Sequence, residues 1–180
     1  MIQAIMATDL NGVYGLDGGL PWAQDDSVAQ EDEKRDMENF KKVTRGGIVV
    51  MGSGTWEADD MLKPLPGRIN IVITTSADRF MEYSNDPHID EVWHTSDLAS
   101  NCRRAQIRYP GRDLFVLGGK AILMQFMNEG LIDRFHLTVF NAEVKGDRSL
   151  DLEQVFDLMS VDKKTTTSYG TKFYELVKRG

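Results

Sequence analysis

Residues 48–56 read Ile48-Val49-Val50-Met51-Gly52-Ser53-Gly54-Thr55-Trp56, four consecutive apolar residues running straight into a glycine-rich turn. A continuous apolar run of this length suits a strand covered on both faces rather than one with a wet side. The turn opens a predicted helix, whose first amides lack internal partners and face outward, a setting for an anion. The same junction recurs where Leu114-Phe115-Val116-Leu117 meets Gly118-Gly119 and a predicted helix to about Asn128, stopped by Gly130. Taken singly, each glycine turn is first of all a tight turn that needs positive φ. Two such junctions in one chain better suit a dinucleotide diphosphate. Neither is the GxGxxG fingerprint, which disfavours an ordinary Rossmann dehydrogenase.

Working outward, Ile2 to Thr8 forms another short buried strand, and Asn11-Gly12, Gly15 and Asp17-Gly18-Gly19 mark a long loop. Residues 23–35 are polar and acidic, a loop or frayed turn, and a helix then runs to about Val43, closed by Gly46-Gly47. Downstream, Pro64-Leu65-Pro66-Gly67-Arg68 is a stiff connection into a strand from Ile69 to Thr74. A further strand centres on Val92 and Trp93. Thr95 or Ser96 then caps a helix carrying Leu98, Cys102 and Ala105. Beyond Leu131 the period becomes two, with Phe135, Leu137 and Val139 on one side. Thr165 to Ser168 and Thr171 to Val177 pair as a hairpin across Tyr169-Gly170. The alternation predicts a single α/β domain over residues 1–180. Its central twisted sheet is mostly parallel with an antiparallel C-terminal edge, and helices cover both faces. Ligands in such sheets sit at the carboxyl ends of strands, so both glycine junctions should open on one crevice.

Composition narrows the function. A chain of 180 residues with 41% hydrophobic and 27% charged residues is that of a soluble globular domain. No apolar run approaches the roughly 20 residues that span a bilayer. The N-terminus lacks the basic start of a secretory signal, and the lone Cys102 allows no intrachain disulfide. Both features point to the cytoplasm, with Cys102 as a buried filler. We expect a monomer. The net charge of −7 opposes nucleic-acid binding, and it requires that any anionic ligand be held by local cations. His88, His94 and His136 lack metal-ligand spacing, so no metal is expected, and no GxSxG nucleophile motif is present. Chemistry by this chain therefore relies on a small-molecule cofactor.

The candidate carboxylate for such chemistry is Asp36. Asp36, Met37 and Phe40 fall on adjoining parts of one helical face. A carboxylate beside large apolar side chains is costly to desolvate unless donors meet it, which marks a binding or proton-handling group. The competing reading is that Asp36 is one more member of an acidic, solvated run between Asp25 and Glu38.

In their order along the chain, these pieces resemble the dihydrofolate reductase family over nearly the whole length. Met1 to Ala7 is similar to its first strand, Val13-Tyr14-Gly15 with Leu20-Pro21-Trp22 to its active-site loop, and Asp36 to Lys41 to its substrate helix. Val50-Met51-Gly52 with Thr55-Trp56-Glu57, Pro64 to Ile71, and Val116-Leu117-Gly118-Gly119 resemble the cofactor helix, the next strand and the second cofactor turn. Leu137-Thr138 with Ala142 to Asp147 resembles the late strand and its loop. The resemblance implies reduction of 7,8-dihydrofolate to 5,6,7,8-tetrahydrofolate by NADPH, in support of one-carbon and thymidylate metabolism.

By the same resemblance, Asp36 binds the pterin's 2-amino group and ring nitrogen, Thr138 hydrogen-bonds Asp36, and Trp22 helps hold a water near it. Leu20 and its loop close over the site. Ile5, Ala7, Met37, Phe40 and Leu65 frame the substrate, and Arg68 pairs with its α-carboxylate. The cofactor is expected against Ala7, Gly15, Leu20, Gly52, Ser53, Gly54 and Thr55, against Thr74 and Thr75, and against Leu117, Gly118, Gly119, Lys120, Ala121 and Ile122. The chain departs from the family pattern in places. Residues 23–35 are longer and more acidic than usual, Ser53 and Gly54 stand where many members carry basic residues for the cofactor's phosphates, and Leu123 replaces an aromatic residue. Lys120 is positioned to compensate. Two rival readings are a reductase of a ribosylated pyrimidine, as in riboflavin synthesis, and a pterin- or nucleotide-binding module with weak catalysis.

Overall fold

The computed structural model describes residues 1–180 apart from the Gln24 side chain. Strand β3 (Ile48–Gly52) is buried along its entire length, and its side chains divide between two apolar clusters. Ile48 and Val50 face one cluster, while Val49 and Met51 face the other. That alternation is the pleat of a strand covered on both sides. On the first face, helices α4 (Leu98–Arg108), α5 (Lys120–Asn128) and α6 (Leu152–Leu158) contribute Cys102, Phe126 and Val155 to the cluster. On the other face lie α1 (Gln30–Val43), α2 (Ser53–Trp56) and α3 (Ala77–Ser84), contributing Phe40, Trp56 and Tyr83.

The remaining strands are β1 (Ile2–Thr8), β2 (Val13–Gly15), β4 (Ile69–Thr74), β5 (Glu91–His94), β6 (Leu114–Gly118), β7 (Arg134–Val139), β8 (Arg148–Ser149), β9 (Met159–Thr166) and β10 (Lys172–Lys178). Seven of them join β3 in one eight-stranded sheet, in the order β5-β4-β3-β6-β1-β7-β10-β9. The first six are parallel to one another, and β10 runs antiparallel to both β7 and β9. The chain lays β3, β4 and β5 outward to one side, then returns to insert β6 between β3 and β1. That reversal leaves a crevice at the carboxyl ends of β1, β3 and β6.

Several local expectations are corrected. The predicted helix after β3 is a single turn, Ser53–Trp56, so its aligned amides are too few to make a strong anion site. Helix α4 is capped by Asp97, whose carboxylate accepts from the Ser100 amide at 3.1 Å; Thr95 and Ser96 lie in a 3₁₀ turn before it. Helices α3 and α6 and the small β2–β8 ribbon have no clear signature in the sequence. Strand β9 starts at Met159, not Thr165, because an exposed edge strand rich in Lys and Asp hides its period. Strand β7 is not a clean alternation either: Thr138 and the following Phe140 are buried, since α1 and Trp22 cover that face. Cys102 is buried as expected, and burial pushes its thiol up to about 12. Among the described residues no helix is long and apolar enough to cross a membrane.

Candidate active site

The crevice is a cavity of about 570 Å³. Its floor is Ile5 and Ala7 from β1 and Leu117 from β6. One wall is the α1 face carrying Asp36, Met37 and Phe40, with Leu65 and Arg68 continuing it. The opposite wall holds Gly54, Thr55 and Gly119, and Gly15, Leu20 and Trp22 roof it. Three separated segments that the sequence marks for one crevice thus do meet there.

Asp36 sits where α1 crosses the end of β7. The Thr138 hydroxyl donates to its Oδ1 at 2.6 Å. Burial among apolar neighbours pushes the carboxyl up to about 6, and the Thr138 hydrogen bond offsets part of that rise. The solvated-run reading therefore fails for Asp36, although Glu31, Lys34, Arg35 and Glu38 around it are exposed. Trp22 is buried and packs edge-on to Phe140, with ring centroids 4.9 Å apart. Val28, from the acidic stretch, is buried in the same cluster and ties that stretch to the body.

At the other end of the cavity, the Arg68 Nε donates to Thr44 Oγ1 at 2.9 Å and Nη1 donates to the Pro66 carbonyl at 2.7 Å. These bonds fix the plane of the guanidinium and leave Nη2 free of those contacts. Burial, then the nearby Arg45 charge, lowers the Arg68 pKa from its ordinary value. Lys41 and Arg45 line the same end. This is a cationic pocket inside a molecule of net charge −7, fitted to a carboxylate.

The loop from Gly15 to Leu20 is fastened on both sides. The Asp147 amide donates to the Gly15 carbonyl at 2.9 Å, and the Asp17 amide donates to Asp147 Oδ2 at 3.1 Å. Across the cleft, the Leu20 amide donates to Asp60 Oδ2 at 2.8 Å. The base of the loop is organised by Asp9, fully buried, whose carboxylate accepts from the amides of Asn11, Val13 and Val144 at 2.8, 2.8 and 2.9 Å.

Other expected residues fall outside the cavity lining. Thr138 is buried behind Asp36 and reaches the cavity only through its hydrogen bond to that carboxylate. Gly52 and Ile122 pack on each other, since a Cβ on Gly52 would stand 3.0 Å from Ile122 Cγ1. Ser53, Thr74, Thr75, Gly118, Lys120 and Ala121 flank the glycine junctions without lining the cavity. Thr74 Oγ1 accepts from the Ser76 amide at 3.1 Å, and the Lys120 amide donates to the Tyr14 hydroxyl at 3.1 Å. The reading of the sequence missed Tyr14, Asp60 and Arg148, all of which line the cavity. Tyr14 lies between Val13 and Gly15 in β2, Asp60 sits in a charged turn, and Arg148 sits in the two-residue strand β8, with no pattern to single them out.

The second wall fits a dinucleotide. A Cβ on Gly119 would stand 3.6 Å from the Tyr14 hydroxyl and 3.9 Å from Thr55 Oγ1, and one on Gly54 would stand 3.0 Å from Arg148 Nη1. Bare backbone at both positions leaves a cradle that side chains would fill, bordered by hydroxyl and guanidinium donors. Among the described residues no cluster of His, Cys, Asp or Glu could hold a metal ion.

Comparison with known proteins agrees with this architecture. The family model described as dihydrofolate reductase matches residues 1–178. The chain is 30% identical to Bacillus subtilis dihydrofolate reductase over 148 residues, covering 82% of this chain and 74% of that protein. It is also 30% identical over 163 residues to a bifunctional dihydrofolate reductase-thymidylate synthase of Paramecium tetraurelia, covering 91% of this chain but only 30% of that longer protein. Among solved structures, dihydrofolate reductase from Enterococcus faecalis complexed with NADP(H) and RAB-propyl superposes with a TM-score of 0.76. It is 21% identical and covers 100% of this chain and 97% of that one, a likeness of fold. The full-length match and the 30% relatives together establish that the chain belongs to the dihydrofolate reductase family.

Proposed function

We propose that this cleft reduces 7,8-dihydrofolate to 5,6,7,8-tetrahydrofolate with NADPH, as one unit spanning residues 1–180. The observation that carries the reading is the pairing of a desolvated acid, Asp36, with a fixed guanidinium, Arg68, at opposite ends of one apolar cavity. A folate has matching ends: a ring edge bearing two adjacent N–H donors, and a carboxylate tail.

Ionised Asp36 accepts both ring donors side by side, which fixes the pterin in one orientation. Thr138 holds the carboxylate in rotation. Met37, Phe40 and Leu65 sandwich the flat portions of the substrate, and Arg68 takes the α-carboxylate. Bound NADPH supplies a hydride from nicotinamide C4 to pterin C6. Ala7, Gly15, Leu20, Gly54, Thr55, Leu117 and Gly119 would hold it, with Gly52, Ser53, Thr74, Thr75, Gly118, Lys120, Ala121 and Ile122 around its outer parts. Ala7 and Leu117 would frame the two rings, and holding rings in contact is worth up to several kcal/mol of barrier. The roof formed by Leu20 and Trp22 limits water to the molecule that protonates N5. A single chain furnishes every wall, which supports a monomer. Cys102 is the chain's single cysteine and so forms no intrachain disulfide, which supports a cytoplasmic setting.

The test follows loss of NADPH absorbance with dihydrofolate, beside Asp36→Asn. The variant is expected to lose activity at least a hundredfold while NADPH still binds. Turnover in the variant equal to that of the parent would remove Asp36 from its role. Faster turnover of a ribosylated pyrimidine than of dihydrofolate would reassign the substrate.

A further inference from the structure

Arg148 is the cleft residue with no role so far. Strand β8 pairs with β2, placing Arg148 opposite Gly15. A Cβ on Gly15 would stand 3.1 Å from the Cβ and Cδ of Arg148, so the arginine stem lies directly along the bare loop backbone. The stem carries the guanidinium across to the opposite wall. There Nη1 reaches within 3.0 Å of where a Cβ on Gly54 would stand, and Cζ and Nη2 within 3.8 Å. The side chain is thus threaded between two glycines and ends in the cavity beside Thr55 and Gly119.

Among the described residues, the ion pairs of Arg79, Arg108 and Arg134 are made with carboxylates, but no carboxylate pairs with Arg148. A cation held against a cleft wall in a protein of net charge −7, without a protein anion of its own, is placed for a ligand's anion. The adjoining turn has no cation of its own: it offers Ser53 and Gly54, and α2 is a single turn. Lys41, Arg45 and Arg68 belong to the other end of the cavity, with Phe40 and Leu65 between.

Resting on the reductase reading above, we propose that Arg148 is the cation that meets the cofactor's diphosphate, reaching it from the loop after β7. Gly54 is then the residue that admits the guanidinium. Because the same arginine lies along Gly15, cofactor charge and roof closure are joined in one side chain.

The test measures equilibrium dissociation constants for NADPH and NADH by quenching of tryptophan fluorescence, in the parent protein, Arg148→Gln and Arg148→Lys. The glutamine variant is expected to weaken both cofactors by a common factor of about tenfold, the usual range for a charge-assisted hydrogen bond. The lysine variant should stay within about threefold of the parent, and raising ionic strength should weaken the parent more than Arg148→Gln. Dihydrofolate affinity without cofactor should change by less than about twofold, since only the diphosphate contact is removed. Unchanged NADPH affinity in Arg148→Gln would overturn the proposal. So would a loss confined to NADPH, which would place the arginine on the 2′-phosphate, and so would an equal loss of dihydrofolate, which would make it a prop for the roof. A parent protein that itself binds no NADPH would bring down the reductase reading as well, an outcome distinct from failure of Arg148 alone.

Discussion

Asp36 answers two opposed demands, and the opposition can be measured. Its folded-state carboxyl titrates at about 6, above the value of about 3.9 in an unfolded chain. The folded protein therefore holds the proton more tightly, so this group favours folding below pH 4 and loses that contribution as pH rises through 6. Asp36→Asn removes the dependence. The stability difference between variant and parent, from urea unfolding across pH, should grow from near zero below pH 4 to about 1–3 kcal/mol in favour of the variant above pH 6. A difference independent of pH would mean that the carboxyl titrates normally. In the proposed role function takes the other sign: only the ionised form would accept both ring donors, so dihydrofolate affinity should fall as pH drops through about 6, and Asp36→Asn should lack that step. Arg68 is proposed to serve the far end alone. Arg68→Leu should weaken dihydrofolate by about tenfold or more and leave the NADPH dissociation constant unchanged, as titrations of each ligand would show.

At the scale of elements, the roof is a loop spanning a gap between two anchors. Asp147 fastens it on its own side, but Asp60 reaches it from across the cleft, through the Leu20 amide. Such a bond closes the cavity in a way a one-sided anchor cannot. One exposed hydrogen bond is worth about 0.5–1.5 kcal/mol, so Asp60→Ala should speed NADPH dissociation by about two- to tenfold in stopped-flow, with little change in unfolding midpoint. An unchanged rate would show that Asp60 does not hold the roof. The sequence reveals the walls of this site better than the roof, for a physical reason. β3 and β6 are apolar runs ending in glycine, and α1 carries Asp36 among apolar neighbours, so each has a local signature. The Asp60 and Arg148 contacts join residues far apart in sequence, and their own neighbourhoods are a charged turn and a two-residue strand. The same blindness hid α6, a short helix whose amphipathic period spans under two turns, and β9, whose exposed charged residues mask its strand.

In the whole molecule, what couples sheet to site is a buried carboxylate well away from the chemistry. Asp9 follows β1 directly, and its two oxygens bind amides from two different loops. Oδ1 takes Asn11 and Val13, which begin the roof loop, and Oδ2 takes Val144, in the loop after β7 that carries Asp147 and Arg148. β1 lies between β6 and β7 at the middle of the sheet, so a shift at Asp9 is felt by both anchoring loops together. Asp9→Ala removes an acceptor that is fully buried and leaves three amides to find other partners, at a cost of about 2–4 kcal/mol. Asp9→Asn keeps one carbonyl acceptor but presents an NH₂ to the other loop, so it should fall between parent and alanine. The distinguishing measurement is hydrogen exchange at residues 11–20 and 142–149. If Asp9 is the common tether, both segments lose protection together in Asp9→Ala while β3 and β4 keep theirs. Loss confined to residues 11–20 would show that the two loops are held separately, and the roof would then owe its position to Asp60 and Asp147 alone.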